Sequence, residues 1–162
     1  MNEKQKAFVG IWEITDWTVT NLDSQEVVQF FDGEYTGNII YTNTGWVSAS
    51  LMDKRRPEVS NDRAMRYKMG DTVSASGCAG LSDEEYEYLT PFVLSAFGYV
   101  GYMGTFDADD EKVYHKTTSA GRPNHAGITL PRLYEFSDGG NRLKLWADAF
   151  GFRDTLIWTR VN

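Results

Sequence analysis

The stretch FVGIWEITDW, residues 8–17, decides the fold class of this chain. Its side chains alternate between two faces, one with Trp12, Ile14, Asp16 and Thr18 and the other with Ile11, Glu13, Thr15 and Trp17. Alternation with a period of two predicts a β-strand. The stretch also holds a glycine two residues before a tryptophan, Gly10-Ile11-Trp12, at the beginning of the first long strand.

Further strand-like stretches predict a mainly β protein. GNIIYTNTGWVSASLM, residues 37–52, predicts a hairpin whose loop is Asn43-Thr44-Gly45, with glycine at a position of positive φ. Five more stretches lie in the last third of the chain and are separated by turn-rich segments. About eight short strands at regular spacing predict a sandwich or a barrel.

Residues 53–98 have a different pattern. The segment 53–80 is charged and weakly periodic, and it predicts one short helix over about 61–69, stopped by Gly70. Ser82 and Glu85 form a capping box that begins a second helix, in which Pro91 predicts a kink or break. We expect a single domain over 1–162 with 53–98 as an insertion. Whether 53–80 closes the barrel mouth as a lid or lies beside it stays open.

Composition limits the partners and the compartment. The net charge of −7 repels phosphate backbones, so no nucleic-acid partner is expected. One cysteine, Cys78, can form no internal disulfide, and the charged N-terminus contains no apolar run. We therefore expect a cytoplasmic protein that is not a membrane protein, and we leave a homodimer open.

The quoted patterns resemble a known family. Gly10-Ile11-Trp12 is similar to the first strand of lipocalins, in which the tryptophan plugs the closed end of the barrel. More closely, the chain resembles small single-domain lipocalin-like proteins of bacteria and fungi, through FVGIWEITDW, GNIIYTNTGWVSASLMDKRRP, GYVGYMGTFDADDE, VYHKTTSAGRPNHAG and LIWTRV. These stretches span nearly the whole chain, and IYTNTGWVSASLM followed by RRP is the most specific of them.

The resemblance implies a lipocalin-like up-and-down antiparallel barrel of about eight strands with an internal cavity. It implies no reaction, because members of the family are mostly of unassigned activity. The chain departs from the family at Pro123-Asn124-His125, where such domains often have tryptophan as the third residue. An ionisable side chain then replaces an aromatic one at the cavity rim.

Motifs for metals and cofactors are missing from the sequence. The two histidines, His115 and His125, lie on different predicted elements, a strand and the following turn. The sequence has no His-x-x-x-His, Cys-x-x-Cys, glycine-rich phosphate loop or Gly-x-Ser-x-Gly elbow. We expect neither a metal nor a cofactor.

Strand parity selects the candidate catalytic residues, because every second residue of a barrel strand faces the interior. Lys112 and Lys116 facing water would turn His115 inward, and the larger side chains of GITLPRLYEF place Arg132 inward. Asp16 follows Trp12 on the first strand. Asp16, His115 and Arg132 are therefore predicted to meet in one apolar cavity, provided that no β-bulge inverts a strand.

These three groups suit cofactor-free acid–base chemistry. His115 could shuttle a proton, Asp16 could orient it or act as base, and Arg132 could bind an enolate or carboxylate oxygen. The structural alternative is that Arg132 or Arg160 stacks on Trp12. The side chains predicted to contact the ligand are Trp12, Tyr41, Tyr102, Tyr134 and His125.

Two functions follow from this pattern. The first is an enzyme of the isomerase, cyclase or lyase/dehydratase type, acting on a hydrophobic small molecule of secondary metabolism. The second is a non-catalytic carrier that sequesters an apolar ligand, with interior polar groups that only orient it.

Overall fold

The computed structural model describes residues 1–161, which divide into two compact units. The larger unit contains residues 1–54 and 99–161, and the smaller one is Arg55–Gly98. In chain order the elements of the larger unit are α1 (Glu3–Phe8), β1 (Gly10–Asn21), β2 (Val27–Gln29), β3 (Tyr35–Tyr41), β4 (Trp46–Asp53), β5 (Tyr99–Ala108), β6 (Lys112–Ala120), β7 (Thr129–Ser137), β8 (Arg142–Ala149) and β9 (Phe152–Arg160). The smaller unit contains α2 (Arg63–Ser76) and α3 (Asp83–Phe97).

Eight of the strands close into an antiparallel barrel. Each strand from β3 to β8 pairs with the next one in sequence, and β9 and β3 both pair with β1. The remaining strand, β2, extends the sheet beside the second half of β1. The predicted up-and-down barrel of about eight strands is confirmed. The predicted hairpin is also present, with Gly45 at a φ of 85° between β3 and β4.

One irregularity in β1 changes which side chains face the interior. The pairing of β1 with β9 shifts register between Ile14 and Asp16, which is a β-bulge. Trp12 and Ile14 are buried before the bulge, and Trp17 is buried after it. The inward face therefore passes from even to odd residues within a single strand.

The closed end of the barrel is filled by aromatic side chains. Phe8, at the end of α1, is fully buried and packs against Tyr41, Phe106, Tyr134 and Phe136. The indole N–H of Trp12 donates to the carbonyl of Phe8 over 2.7 Å. Side chains of α1 also reach β5, where Gln5 donates to the carbonyl of Phe106 over 2.9 Å. This helix, which the sequence analysis did not predict, therefore holds Phe8 in place as the plug.

Gly10 leaves room for an arginine that covers the plug. The guanidinium of Arg160 lies 4.0 Å from the ring centre of Trp12 and donates to the carbonyls of Val9, Ala7 and Gly140. A Cβ on Gly10 would lie 2.6 Å from Arg160 Nη1, and the φ of Gly10 is +141°. The Gly-x-Trp pattern thus reflects the space that Arg160 needs to stack on Trp12.

The smaller unit departs from the sequence prediction in the length of one helix. Helix α2 continues through Gly70 to Ser76, so the predicted stop at Gly70 is wrong. Helix α3 begins with the expected capping box of Ser82 and Glu85 and continues through Pro91. Glu85 also forms an ion pair with Lys68 of α2 over 2.9 Å. The single-domain organisation and the lid stay predictions.

Candidate functional site

The interior of the barrel contains an open cavity beyond the aromatic plug. Its volume is about 560 Å³, within the range of roughly 300–1,000 Å³ that is typical of small-molecule sites. The walls are mainly apolar, and they include Trp17, Phe30, Ile39, Leu51, Leu130, Leu145, Leu156 and Trp158. A cavity of this size and polarity can enclose a small apolar molecule.

A few polar side chains interrupt the apolar lining. Tyr102 projects from β5, Arg132 from β7 and Asp154 from β9. The connection between β6 and β7, which contains the 3-10 turn Pro123–His125, adds Arg122, Asn124 and His125. Of the predicted site residues, Tyr102, Arg132 and His125 therefore lie at the cavity.

Behind Tyr102 lies a hydrogen-bonded chain of three aromatic side chains. The hydroxyl of Tyr102 is 2.7 Å from Nδ1 of His115, and the hydroxyl of Tyr41 is 2.8 Å from Nε2. His115 is fully buried on β6, between β5 and β7, and it faces inward as predicted. It does not line the cavity, whereas its hydrogen-bond partner Tyr102 does. His115 can act on a ligand only through Tyr102.

Burial keeps all three groups of this chain neutral at pH 7. It lowers the pKa of His115 to about 3, and the positive charge of Arg132 adds to that effect. Burial raises the pKa of Tyr102 to about 12, although Arg132 opposes the change. The pKa of Tyr41 is raised well above its ordinary value for the same reason. Hence His115 holds a single proton and can donate one hydrogen bond and accept another.

Arg132 brings a positive charge to the cavity wall. The residue is partly buried, and its Nη1 donates to the carbonyl of Pro131 over 2.9 Å. Within residues 1–161 it forms no ion pair and no other hydrogen bond. The buried indole N–H of Trp158, which borders the same cavity, has no hydrogen-bond acceptor in that part of the chain. The cavity wall therefore carries guanidinium donors of Arg132 that no carboxylate within residues 1–161 satisfies.

The structure corrects the placement of Asp16. The bulge after Ile14 turns its side chain away from the cavity, where Trp17 takes the inward position. The carboxylate accepts instead from Gln29 over 3.1 Å and from Tyr35 over 3.5 Å. Asp16, His115 and Arg132 do not converge, so the prediction that they meet in one cavity is wrong.

Three predicted ligand contacts lie beyond the reach of the cavity. Trp12, Tyr41 and Tyr134 belong to the packed aromatic end around Phe8. The hydroxyl of Tyr134 donates to the carbonyl of Asp109 over 2.7 Å. These side chains lie behind the floor of the cavity and do not line it. The aromatic plug fills the space that a deeper ligand would occupy. The arginine that stacks on Trp12 is Arg160.

Trp17 and Asp154 are among the polar and aromatic cavity residues that the sequence analysis missed. Trp17 was assigned to the outer face, since alternation alone does not reveal a bulge. Asp154 lies two and four residues before the inward-facing Leu156 and Trp158, so the alternation of β9 could have identified it. The indole N–H of Trp17 lies 3.4 Å from Asp154 Oδ1, which places the carboxylate at the cavity wall.

Within residues 1–161 no three His, Cys, Asp or Glu side chains come together as ligands for a metal ion. Over the same residues no helix has both the length and the apolar character needed to cross a membrane.

Comparisons with known proteins bear on the whole chain. The model of a family described as lipocalin-like domain matches residues 9–161. Among curated proteins no relative matches. A solved structure described as a redesigned β-barrel aligns with 100% of this chain and 98% of its own length, at 10% sequence identity and a TM-score of 0.44.

Proposed function

This chain belongs to the lipocalin-like domain family, and from that premise we propose that it is a carrier that binds an apolar small molecule inside the barrel. The single observation that carries the proposal is the open, mainly apolar cavity of about 560 Å³. Protein interiors are otherwise packed nearly as densely as organic crystals. An apolar cavity in an otherwise densely packed barrel offers an apolar ligand a surface that is removed from water on binding.

The position of the polar groups supports this role. Tyr102 and Arg132 lie on the wall, and Arg122 and His125 lie in the connection between β6 and β7. Such an arrangement lets the apolar body of a ligand lie against leucine and tryptophan while a polar end meets a few donors. The expected ligand is therefore amphiphilic.

Titration with a fluorescent apolar probe tests the proposal. N-phenyl-naphthylamine should bind with increased emission. Ala147→Phe, which fills part of the cavity, should weaken its binding by roughly tenfold or more. The matched control is Thr159→Phe on the exposed face of β9, which should bind as the parent does. Absence of binding, or equal affinity in the two variants, would refute an interior site.

An acid–base enzyme is the second candidate, and one observation favours it. The cavity holds a carboxylate, Asp154, on β9 and a hydroxyl donor, Tyr102, on β5, two strands that stand four apart in the ring of eight. Asp154 could take a proton from a carbon beside a ligand carbonyl. The electron pair would move onto the carbonyl oxygen, where Tyr102 and Arg132 could stabilise it. Return of the proton to a different carbon would complete an isomerisation.

Solvent exchange distinguishes the two candidates. An enolisable apolar ketone such as β-tetralone, dissolved in heavy water with the protein, should gain deuterium faster than it does alone if Asp154 acts as a base. Asp154→Asn should abolish the acceleration and leave probe binding intact. An exchange rate that the protein does not change would leave the carrier as the function.

A further inference from the structure

The hydrogen-bond directions in the chain Tyr41–His115–Tyr102 can be deduced by counting protons. Neutral His115 has one N–H donor and one bare nitrogen acceptor. Each tyrosine hydroxyl has one proton and can also accept. Within residues 1–161 the only hydrogen-bond partner of Tyr41 Oη is His115 Nε2, and the only partner of Tyr102 Oη is His115 Nδ1.

Each tautomer of His115 leaves one tyrosine proton without an acceptor within residues 1–161, and the two differ in where that proton lies, because Tyr102 lines the cavity and Tyr41 does not. If Nε2 carried the proton, it would donate to Tyr41, and the hydroxyl proton of Tyr41 would have no acceptor in a side chain that is 1% exposed. An unsatisfied buried donor disfavours that tautomer by roughly tenfold or more. If Nδ1 carries the proton, Tyr41 donates to Nε2 and Nδ1–H donates to Tyr102. We assign this second arrangement.

The assignment determines what Tyr102 offers to the cavity. Its oxygen accepts from His115, so its own proton is free to donate to a molecule in the cavity. Arg132 lies near this hydrogen-bonded chain, because it is paired across β6 and β7 with Val113, which is two residues from His115. Both side chains line the cavity, and both present donors there.

The charged side chains that line the cavity also favour an anionic group beside Tyr102 and Arg132. The chain as a whole has a net charge of −7, but the cavity is lined by two arginines, Arg122 and Arg132, and by one carboxylate, Asp154. Asp154 accepts a hydrogen bond from Trp17 and lies on β9, away from β5. A ligand with one anionic end would be drawn toward Arg132 and turned away from Asp154.

We propose that Tyr102 and Arg132 form a subsite for an anionic oxygen, so that the ligand is an apolar organic acid: a carboxylate, phenolate or enolate. Tyr41 and His115 are positioning residues, which hold the hydroxyl of Tyr102 as a donor without touching the ligand. The inference rests on the proposed binding of an apolar small molecule and specifies the class of that molecule.

Nitrogen NMR of the histidine ring tests the assigned tautomer directly. Ring nitrogens with and without a proton have well separated chemical shifts, and His125→Gln leaves His115 as the single histidine. We expect a protonated Nδ1 and a bare Nε2 at neutral pH. A protonated Nε2 would overturn the proposal, because Tyr102 would then donate to His115 and could not donate to a ligand.

Two probes with the same aromatic skeleton test the ligand class. Anilinonaphthalene sulfonate carries an anionic group, and N-phenyl-naphthylamine lacks it. We expect the anionic probe to bind roughly tenfold or more tightly, since charge-assisted hydrogen bonds are strong where water is excluded. Tyr102→Phe and Arg132→Met should each remove most of that preference and leave the affinity for the neutral probe within about twofold.

The positioning role of Tyr41, which does not contact the ligand, can be tested separately. Tyr41→Phe should reduce the preference for the anionic probe by several-fold, because the tautomer of His115 is no longer fixed. A merely structural role would weaken both probes equally. The control for removal of a charge is Arg142→Met on the exposed face of β8, which should preserve the preference.

The outcomes separate this inference from the function on which it rests. If the neutral probe binds as tightly as the anionic one, the carrier stands and the acid subsite is refuted. If neither probe binds, both proposals fail. If the anionic probe is preferred and Tyr102→Phe, Arg132→Met and Tyr41→Phe all reduce that preference, the subsite is supported.

Discussion

The two ends of the barrel interior use the same residue type in opposite ways. At the closed end, Arg160 stacks on Trp12 and donates to three backbone carbonyls. At the open end, Arg132 donates to the carbonyl of Pro131, and within residues 1–161 it has no carboxylate partner. An arginine whose donors are satisfied by the backbone supports the fold. An arginine whose donors are left to a cavity is available to a ligand.

The largest difference between the two ends should appear in the removal of a phenylalanine. Phe8 is fully buried at the closed end, whereas Phe150 is fully exposed at the cavity mouth. Phe8→Ala should lower the free energy of unfolding by about 4 kcal/mol. Phe150→Ala should change it by less than about 0.5 kcal/mol. Urea denaturation measures both, and similar losses would show that the plug does not hold the closed end.

Replacement of the two arginines tests whether they play different roles at the two ends. Arg160→Met removes the stacking on Trp12 and three hydrogen bonds, and it should lower the free energy of unfolding by about 3 kcal/mol. Arg132→Met removes a partly buried charge that lacks a counterion, so stability should stay within about 0.5 kcal/mol or rise. Chemical denaturation of both variants beside Arg142→Met checks this. A greater loss for Arg132→Met than for Arg160→Met would reverse the assignment.

The buried chain behind Tyr102 should make stability depend on pH. The pKa of His115 is lowered to about 3 in the folded state by burial and by Arg132 on β7, while its neighbours Tyr41 on β3 and Tyr102 on β5 are neutral. Between pH 6.5 and 3 the unfolded chain binds a proton that the folded chain does not, so stability falls as the pH falls. The loss from His115 is about 2 kcal/mol at pH 5.

The control for this pH dependence is His115→Gln, whose amide can still donate to one tyrosine and accept from the other. The variant should lose the His115 contribution and show a flatter stability profile between pH 7 and 5. Denaturant midpoints at several pH values measure it. Identical slopes in the two proteins would mean that His115 is protonated without unfolding.

The architecture was accessible from the sequence because it rests on periodicity. Alternation along β6 and β7 correctly placed His115 and Arg132 inside the barrel. Alternation failed in β1, since a bulge adds one residue without any compositional sign and so moved Asp16 outward. Helix α2 was cut short at Gly70 because glycine lowers helix propensity without ending every helix.

The candidate site was less predictable than the fold. Its defining relation, with His115 behind Tyr102 rather than beside the ligand, depends on contacts between three different strands. Parity gives the direction of a side chain and not its depth in the barrel. For that reason Trp12, Tyr41 and Tyr134 were expected to contact the ligand, whereas they lie in the packed aromatic end and not at the cavity.

The link between Arg160 and the carbonyls of Ala7 and Val9 has a consequence for folding kinetics. It joins residues that are 153 and 151 positions apart, and the pairing of β1 with β9 spans a similar separation. During synthesis β1 can pair early with β2 and β3, but its pairing with β9 must wait for almost the entire chain. Contacts of such high sequence separation are slow to form. Pairing of β1 with β9 is therefore the expected rate-limiting step of folding. Before this pairing forms, one edge of β1 remains open to pairing with another chain.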